Sequence, residues 1–400
     1  MPTALVVGGG VAGPAVAMFL ARAGWEVRVV EAAPTPGRHG GAFLNVASNG
    51  LDVLAQLGLR DALVADGHRA GRMVMLSGRG RELGVVPNGP AGDLARGGVI
   101  VRRAHLHAVL RDGAARAGIP IEDGVRVTGI RSSTDAAIAT LADGRELHAD
   151  VLIGADGIGS LTRTWIDPGA PAPTYTGLVG LGGFARVPGL APTHETRVMV
   201  FGARAFFGYL VRDDGTALWF ANLTRPEPDR RALAAIPSDR WLADLAELHR
   251  DDPFPVPDLV ASTVGPVSAH PIHALPHVPH WYRDRVVALG DAVHATSPSA
   301  GQGASLALED AITLARALRD APDHGAAFAA FERMRRPRVE RIVGYARAVD
   351  RNKRVTRSRL GIAVRDAMLP RFLGRAMEDH RNDDLYEFRV DWNAKGVPVG

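Results

Sequence analysis

The chain contains no cysteine, which excludes disulfides, thiolate metal sites and cysteine nucleophiles and suits a reducing compartment. Lysine is almost missing: it occurs only at Lys353 and Lys395, leaving 45 of the 47 basic residues as arginine. No run approaches the ~18 uncharged apolar residues that a membrane helix needs. The start, Met-Pro-Thr-Ala, offers no basic leader ahead of an apolar stretch, as a secretory signal would. A cytoplasmic protein without a membrane partner is therefore expected. Internal repeats and low-complexity linkers are absent too.

What is present bounds the class. At 400 residues the chain is too long for one ordinary domain and suggests two. With 46% hydrophobic and 22% charged residues it is neither disordered nor collagen-like. The net charge of +4 is unevenly placed: 14 basic residues between Arg333 and Arg375 face only Glu340, Asp350 and Asp366, a local excess of +11. No nucleic-acid module accompanies this stripe, so a solvated helix face with local ion pairs is expected, and no nucleic-acid partner.

Along the chain, Thr3 to Val7 is a short apolar run ending in glycines, the pattern of a buried parallel strand. Ala12 to Ala23, rich in small and apolar residues, suits a helix packed closely on a sheet; Glu26 to Glu31 is a second strand. Together they form a βαβ unit. Asn49 to Leu57 and His105 to Ala117 read as amphipathic helices, and Val151 to Ile153 as another buried strand before glycine. From Tyr175 to Tyr282 prolines multiply and short alternating stretches replace helical periodicity; Arg212-Asp213-Asp214-Gly215 signals a hairpin turn. The buried-strand pattern returns at Arg285 to Leu289, Gly301 to Leu318 follows as a helix, and the tail is mostly helical. The expected organisation is an α/β fold. Residues 1–174 and 283–330 form a discontinuous Rossmann-like nucleotide domain, residues 175–282 an inserted sheet-rich substrate domain, and residues 331–400 a helical C-terminal region.

Gly8-x-Gly10-x-x-Gly13 sits after a strand, opens a helix and is followed 18 residues after Gly13 by Glu31 at the end of the second strand. That context marks a dinucleotide site. Gly8 permits the tight turn, Gly10 lets backbone N–H groups approach a pyrophosphate, and Gly13, like Ala17 one turn later, lets helix and strand pack closely. The helix amino terminus brings partial positive charge. Glu31 can accept both ribose hydroxyl hydrogens, which disfavours a 2′-phosphate here. The fingerprint alone does not separate FAD from NAD. Two further strand-then-glycine turns carry an acid, Gly154-Ala-Asp156-Gly157 and Gly290-Asp291-Ala-Val-His294. Three such turns suit a long, bent FAD better than an NAD.

These motifs, with Gly154-Ala-Asp-Gly-x-x-Ser-x-x-Arg163 and Gly290-Asp-Ala-x-His through Pro298-x-x-Gly-Gln-Gly303 to Glu309-Asp-Ala311, give the chain its resemblance. It resembles the single-component, FAD-dependent aromatic hydroxylases of the p-hydroxybenzoate hydroxylase-like group over nearly its whole length. In layout it is similar to the compact tetracycline-modifying and antibiotic-tailoring members, which implies a place in secondary metabolism or antibiotic inactivation. By position the resemblance implies that Arg103 contacts FAD, that Asp156 lies near FAD and the pyridine nucleotide, and that Asp291 lies on the ribityl chain. Gly301, Gln302, Gly303 and Ala304 would point backbone N–H groups at the flavin pyrimidine edge, where a helix amino terminus favours the negative charge of reduced flavin. Val11, Ala12, Arg38 and Pro298 join them as cofactor contacts. Departures from the family are Ala32 in place of arginine, Ser299 in place of a bulky residue and Ser305 in place of asparagine.

The resemblance implies a cycle in which NAD(P)H reduces a noncovalent FAD, oxygen adds at C4a, and the hydroperoxide transfers one oxygen atom to an aromatic small molecule. The flavin carries the chemistry, so no sharp catalytic residue is expected. His294, directly after Gly-Asp-Ala, reads as structural or flavin-supporting. His270, His273, His277 and His280 are close in sequence, but Pro271, Pro276 and Pro279 interrupt them and no carboxylate joins them, so no metal is expected. For the substrate, a turn at Arg212 to Gly215 puts Phe207 across from Phe220 and Tyr209 across from Leu218. One face of that hairpin is either an aromatic pocket floor or ordinary sheet core. Phe207, Tyr209, Phe220 and Ser299 are the substrate candidates. A geranylgeranyl-type FAD reductase and a non-enzymatic FAD scaffold remain as alternatives, and a monomer or weak dimer is expected.

Overall fold

The computed structural model describes residues 1–34, 42–353, 359–373, 377, 380 and 383–396. The first sheet has six strands in the order Tyr282–Arg283, Val286–Ala288, Val151–Gly154, Thr3–Val7, Glu26–Glu31 and Ile121–Asp123. All its pairings are parallel except the edge pair Tyr282–Arg283 with Val286–Ala288. Val6 pairs with both Val29 and Ile153, fixing the βαβ register. The central strands are apolar because they are covered by helix Ala12–Arg22 and by the antiparallel strands Val127–Ser132, Ala137–Leu141 and Glu146–Ala149, whose Ile130, Ala137, Ala139 and Ala149 join the same core. Val6, Leu152, Ile153 and Val287 are fully buried. Helix Ala12–Arg22 carries Ala15, Val16 and Ala17 into this core, and the 18-residue helix Gly303–Asp320 packs against it.

The second large sheet has seven strands: Thr263–Ala274, Thr174–Ala185, Ala217–Thr224, Phe206–Val211, Thr196–Phe201, Arg72–Ser77 and Glu82–Pro87. Its last two strands come from outside residues 175–282, and Arg72–Ser77 joins Thr196–Phe201 in parallel. The sheet therefore draws on the amino-terminal segment, through a hairpin whose period-2 signal is blurred by Met73 and Met75 on the side that faces a cavity.

The Arg212–Gly215 hairpin forms, but its register differs by one residue from the sequence expectation. Phe207 pairs with Ala221, Gly208 with Phe220 and Tyr209 with Trp219. Arg212 N–H donates to the Thr216 carbonyl and Gly215 adopts φ +77°, so three residues rather than four lie outside the ladder. A one-residue slip reverses which side chains share a face. Phe206 and Phe220 consequently stand on one face, and Phe207 and Tyr209 on the other.

The arginine-rich segment also departs from a purely solvated face. In helix His324–Lys353, Arg335 is fully buried and Arg338 nearly so. Arg335 pairs with Glu309 at 2.6 Å and Asp310 at 2.7 Å, and Arg338 with Glu309 at 2.7 Å. Arg336 follows the expected pattern, bridging Glu332 and Glu340 one turn away on either side.

Candidate functional site

The first turn is built by backbone. Gly8 has φ +114°, and a Cβ there would lie 2.2 Å from the Ala155 carbonyl oxygen, so only glycine fits. Gly10, Val11 and Ala12 line a cavity. A Cβ on Gly10 would meet nothing within 4 Å, and the helix that follows has no side-chain cap. Its first N–H groups are left for a ligand. Glu31 closes the loop from behind, accepting from Gly9 N–H at 2.6 Å and Ala33 N–H at 2.8 Å. Its carboxylate is thus locked in place beside the glycine turn, outside the residues that line the cavity.

The second turn presents Ala155, Gly157 and Ile158 to the cavity. Asp156 is held differently. Its carboxylate accepts from Ser160 Oγ at 2.6 Å, Thr162 N–H at 3.0 Å and Thr162 Oγ1 at 3.0 Å. It fixes the loop and the start of helix Leu161–Ile166.

The third turn aims Asp291 into the cavity. Gly290, at φ +63°, donates its N–H to Asp310 Oδ2 at 2.8 Å, and His294 Nε2 meets the same oxygen at 2.5 Å. The Glu-Asp-Ala segment of the motif is therefore the anchor of the Gly-Asp turn, and His294 is part of that anchor. Burial would push the Asp310 carboxyl up, but the charges of His294 and Arg335 and their hydrogen bonds overcome it and hold it near about 2. Asp291 has surface open to the cavity yet lies deep among protein atoms. That desolvation raises its carboxyl pKa, against the pull of His294 and Arg103.

Gly301, at φ +62°, follows the short turn Pro298–Ala300 and is tied by its carbonyl to Asn45 Nδ2 at 3.0 Å. Gln302 is buried, with Oε1 bonded to Asn49 Nδ2 and Nε2 lacking a partner among the described residues. Pro298, Gly301, Gln302, Gly303 and Ala304 all line the cavity, and helix Gly303–Asp320 starts there without a side-chain cap. Ser305 points elsewhere: its Oγ accepts from Ala47 N–H at 3.0 Å and fastens this helix to its neighbour. Arg103 opens helix Arg103–Arg116, lines the cavity and has a buried Nε without a partner among the described residues. Arg38 lies outside the described residues.

The three glycine turns, Asp291, Gln302 and Arg103 share one cavity of ≈ 1320 Å³. Ordinary small-molecule sites run to about 1,000 Å³, so there is room for a cofactor's ring end and a second molecule. Away from the glycine turns the walls become aromatic. Phe43, Phe206 and Phe220 line the cavity, with Phe206 and Phe220 centroids 6.0 Å apart and Phe43 and Phe220 6.4 Å apart. A Cβ on Gly208 would fall 2.3 Å from the Phe220 ring, so glycine lets that ring lie over the strand. Phe207 does not reach the cavity. It is fully buried on the opposite face and stacks on Trp219 at 5.6 Å. Tyr209 lies on that face too, where burial pushes its hydroxyl up to about 12. Ser299 lines the cavity and donates to Asp350 Oδ1 at 2.5 Å.

Residues that pattern reading did not assign to the site complete the walls: Asn45, Arg197, His270 and Lys353. Burial, with Arg103 nearby, lowers the pKa of His270 and favours its neutral ring. The histidine run does not converge, since His273 pairs with Glu227 and His277 with Glu340. Among the described residues no group of three metal-ligating side chains forms, and no helix is long and apolar enough to cross a membrane.

The donor set fits FAD: two uncapped helix starts face one cavity, Arg103 and Gln302 hold donors there that lack partners among the described residues, and the Asp291 carboxylate stands open to it. The comparisons agree. Residues 1–346 match the family described as an FAD binding domain. The aurachin C monooxygenase/isomerase of Stigmatella aurantiaca is 31% identical over 85% of this chain and 87% of its own. The FAD-dependent urate hydroxylase of Mycolicibacterium vanbaalenii is 29% identical over 95% and 93%. The structure of Klebsiella pneumoniae HpxO complexed with FAD and uric acid matches with a TM-score of 0.82 at 25% identity, over 96% and 97% of the two chains. The chain thus belongs to the FAD-binding-domain family and is a flavoprotein monooxygenase with FAD as its cofactor.

Proposed function

We propose that the enzyme uses NAD(P)H and O2 to insert one oxygen atom into an aromatic or polycyclic small molecule held in the phenylalanine-walled end of the cavity. One observation carries this reading. A single cavity runs from Asp291 and the uncapped start of helix Gly303–Asp320 to the rings of Phe43, Phe206 and Phe220, so a ring can lie beside the flavin. Bound FAD supplies the redox and oxygen chemistry. The chain binds, orients and shields. N–H groups at the Gly303 helix start favour negative charge on the adjacent ring edge, Asp291 accepts hydrogen bonds, Arg103 donates them, and the phenylalanines exclude water. The urate hydroxylase relative and the neighbour holding uric acid support a small aromatic ring as substrate.

The test is the purified yellow protein with a panel of phenolic and polyketide-like compounds. At least one should accelerate NAD(P)H oxidation and carry an oxygen atom from labelled O2 in its product. Reduction of a carbon–carbon double bond without oxygen incorporation would favour the geranylgeranyl-type reductase, and flavin-loaded protein that no compound stimulates would favour a scaffold. We further expect a cytoplasmic enzyme that is a monomer or weak dimer, the oligomeric state being checked by gel filtration of the holoenzyme.

A further inference from the structure

One of the chain's two lysines sits inside the cavity. Lys353 Nζ donates to Ser299 Oγ at 2.9 Å and lies 4.6 Å from the Phe206 ring centroid and 5.7 Å from that of Phe220. The carboxylate whose charge acts on it is Asp350, 2% exposed. Its Oδ1 accepts from Ser297 Oγ at 2.8 Å and Ser299 Oγ at 2.5 Å, so Ser299 stands between the two charges. No ion pair within 4 Å joins Lys353 to a carboxylate among the described residues. A second cation, Arg197, lines the same wall from strand Thr196–Phe201; its Nη2 touches Met73 Sδ at 2.9 Å and its buried Nε is unpartnered among the described residues. Burial lowers Lys353 to about 8, with the Asp350 carboxylate opposing and Arg197 assisting, and burial lowers Arg197 to about 10. Two desolvated cations thus share an aromatic chamber; Asp350 Oδ1 reaches Lys353 only through Ser299, and the buried Asp350 Oδ2 has no hydrogen-bond partner among the described residues. A charge taken from water without a direct partner is costly, and an anion arriving between the two would relieve it.

We propose that the aromatic end of the cavity is an anion subsite: Lys353, together with Arg197, binds an anionic oxygen carried by the aromatic substrate, a carboxylate or an ionised ring hydroxyl. Lys353 is then a specificity-determining residue, its ammonium set over the Phe206 and Phe220 rings that would hold the substrate's apolar body. The inference rests on the monooxygenase reading only in taking this chamber as the substrate's place.

The experiment uses the FAD-loaded full chain without NAD(P)H and two probes of one shape, 2-naphthoate and the neutral 2-naphthamide, titrated by the change in flavin absorbance. Wild type should bind naphthoate at least about ten-fold tighter than naphthamide. Lys353→Met should bring that ratio close to one while leaving naphthamide affinity unchanged, and Lys353→Arg should keep the preference. A lysine that only fastened its helix to Ser299 would, on replacement, change both affinities alike or only the melting temperature. Equal binding of the two probes to wild type, no binding of naphthoate, or an unchanged ratio in Lys353→Met overturns the proposal. Flavin content of the same sample separates the two readings: protein without flavin counts against the monooxygenase, whereas yellow protein indifferent to charge counts against the anion subsite alone.

Discussion

Gly10 and Gly13 belong to one fingerprint, but the structure gives them different physical duties, and alanine at each position separates those duties. A Cβ on Gly13 would lie 1.9 Å from the Gly8 carbonyl oxygen and 3.4 Å from Val6 Cγ1. The oxygen is backbone, and its residue is held by a 2.8 Å bond from Gly8 N–H to the Val30 carbonyl. Restoring an ordinary contact requires the start of helix Ala12–Arg22 to retreat by about 1.5 Å. Overpacking of this kind costs about 1–3 kcal/mol of stability. The same retreat takes the N–H groups of the turn out of the 2.7–3.2 Å range in which they bond an oxygen. Two charge-assisted hydrogen bonds lost at about 1.5–3 kcal/mol each amount to roughly 10²–10⁴-fold in FAD affinity. Gly10→Ala meets no protein atom within 4 Å, so its apoprotein should melt within about 0.5 kcal/mol of wild type. Its methyl nevertheless occupies the approach to the pyrophosphate and should lower FAD affinity.

Thermal melts must be made on flavin-free protein, because bound ligand raises apparent stability by itself. Flavin affinity is read by titrating FAD back, with circular dichroism confirming the fold. Gly13→Ala should lose both stability and flavin, Gly10→Ala flavin alone. A folded Gly13→Ala protein with full flavin occupancy, or a Gly10→Ala apoprotein as unstable as Gly13→Ala, would refute the reasoning.

Other expectations follow from the same geometry. Acid precipitation should release all flavin into solution; colour left in the pellet would mean a covalent link. Asp291→Ala should keep the fold and weaken FAD about 10–150-fold through one lost charge-assisted hydrogen bond, measured as the flavin dissociation constant. Phe207→Ala should cost about 3–5 kcal/mol in urea unfolding, whereas Phe206→Ala, on the cavity face, should cost less stability and alter substrate-stimulated NAD(P)H oxidation. Asp310, held near about 2, contributes stability that is complete above the ordinary carboxyl value near 4 and is lost as pH falls through about 2. Wild type should therefore lose melting temperature across that window. Asp310→Asn should flatten the loss and, by unbalancing buried Arg335, cost about 3–5 kcal/mol at neutral pH.

The cofactor end was legible because its requirements are written in backbone. Gly8, Gly290 and Gly301 adopt positive φ, and two helices begin at the cavity without side-chain caps. Such demands select glycine at fixed offsets from a buried strand, and those offsets are visible in one dimension. The hairpin was legible as a hairpin but not in register. Asp213-Asp214-Gly215 makes a three-residue connection where four were expected, and nothing but the φ of Gly215 distinguishes them. That single residue exchanged the roles of Phe206 and Phe207. Strands Arg72–Ser77 and Glu82–Pro87 were missed because cavity-facing methionines imitate a core-facing pattern.

The substrate end was harder to read because its chemistry comes from residues far apart in sequence that only tertiary packing assembles. Phe43, Arg197, Phe220, Ser299 and Lys353 reach one chamber from four β-strands or turns and one helix. Ser299 and Phe220 stand out through the Pro298 motif and the hairpin, but Phe43, Arg197 and Lys353 belong to no local motif and read singly as a core ring or a surface cation. The usable signal was rarity. In a chain that uses arginine almost everywhere, the lysine at the end of helix His324–Lys353 is a departure from the chain's own habit. A compact ammonium on a flexible stem reaches both Ser299 Oγ and the Phe206 ring. The buried ion network of Glu309, Asp310, Arg335 and Arg338 completes the arrangement. It locks helix His324–Lys353 to the Gly290 turn that aims Asp291. One helix therefore positions groups at both ends of the cavity, so a substitution at Arg335 should disturb flavin affinity and substrate selection together, although it touches neither ligand.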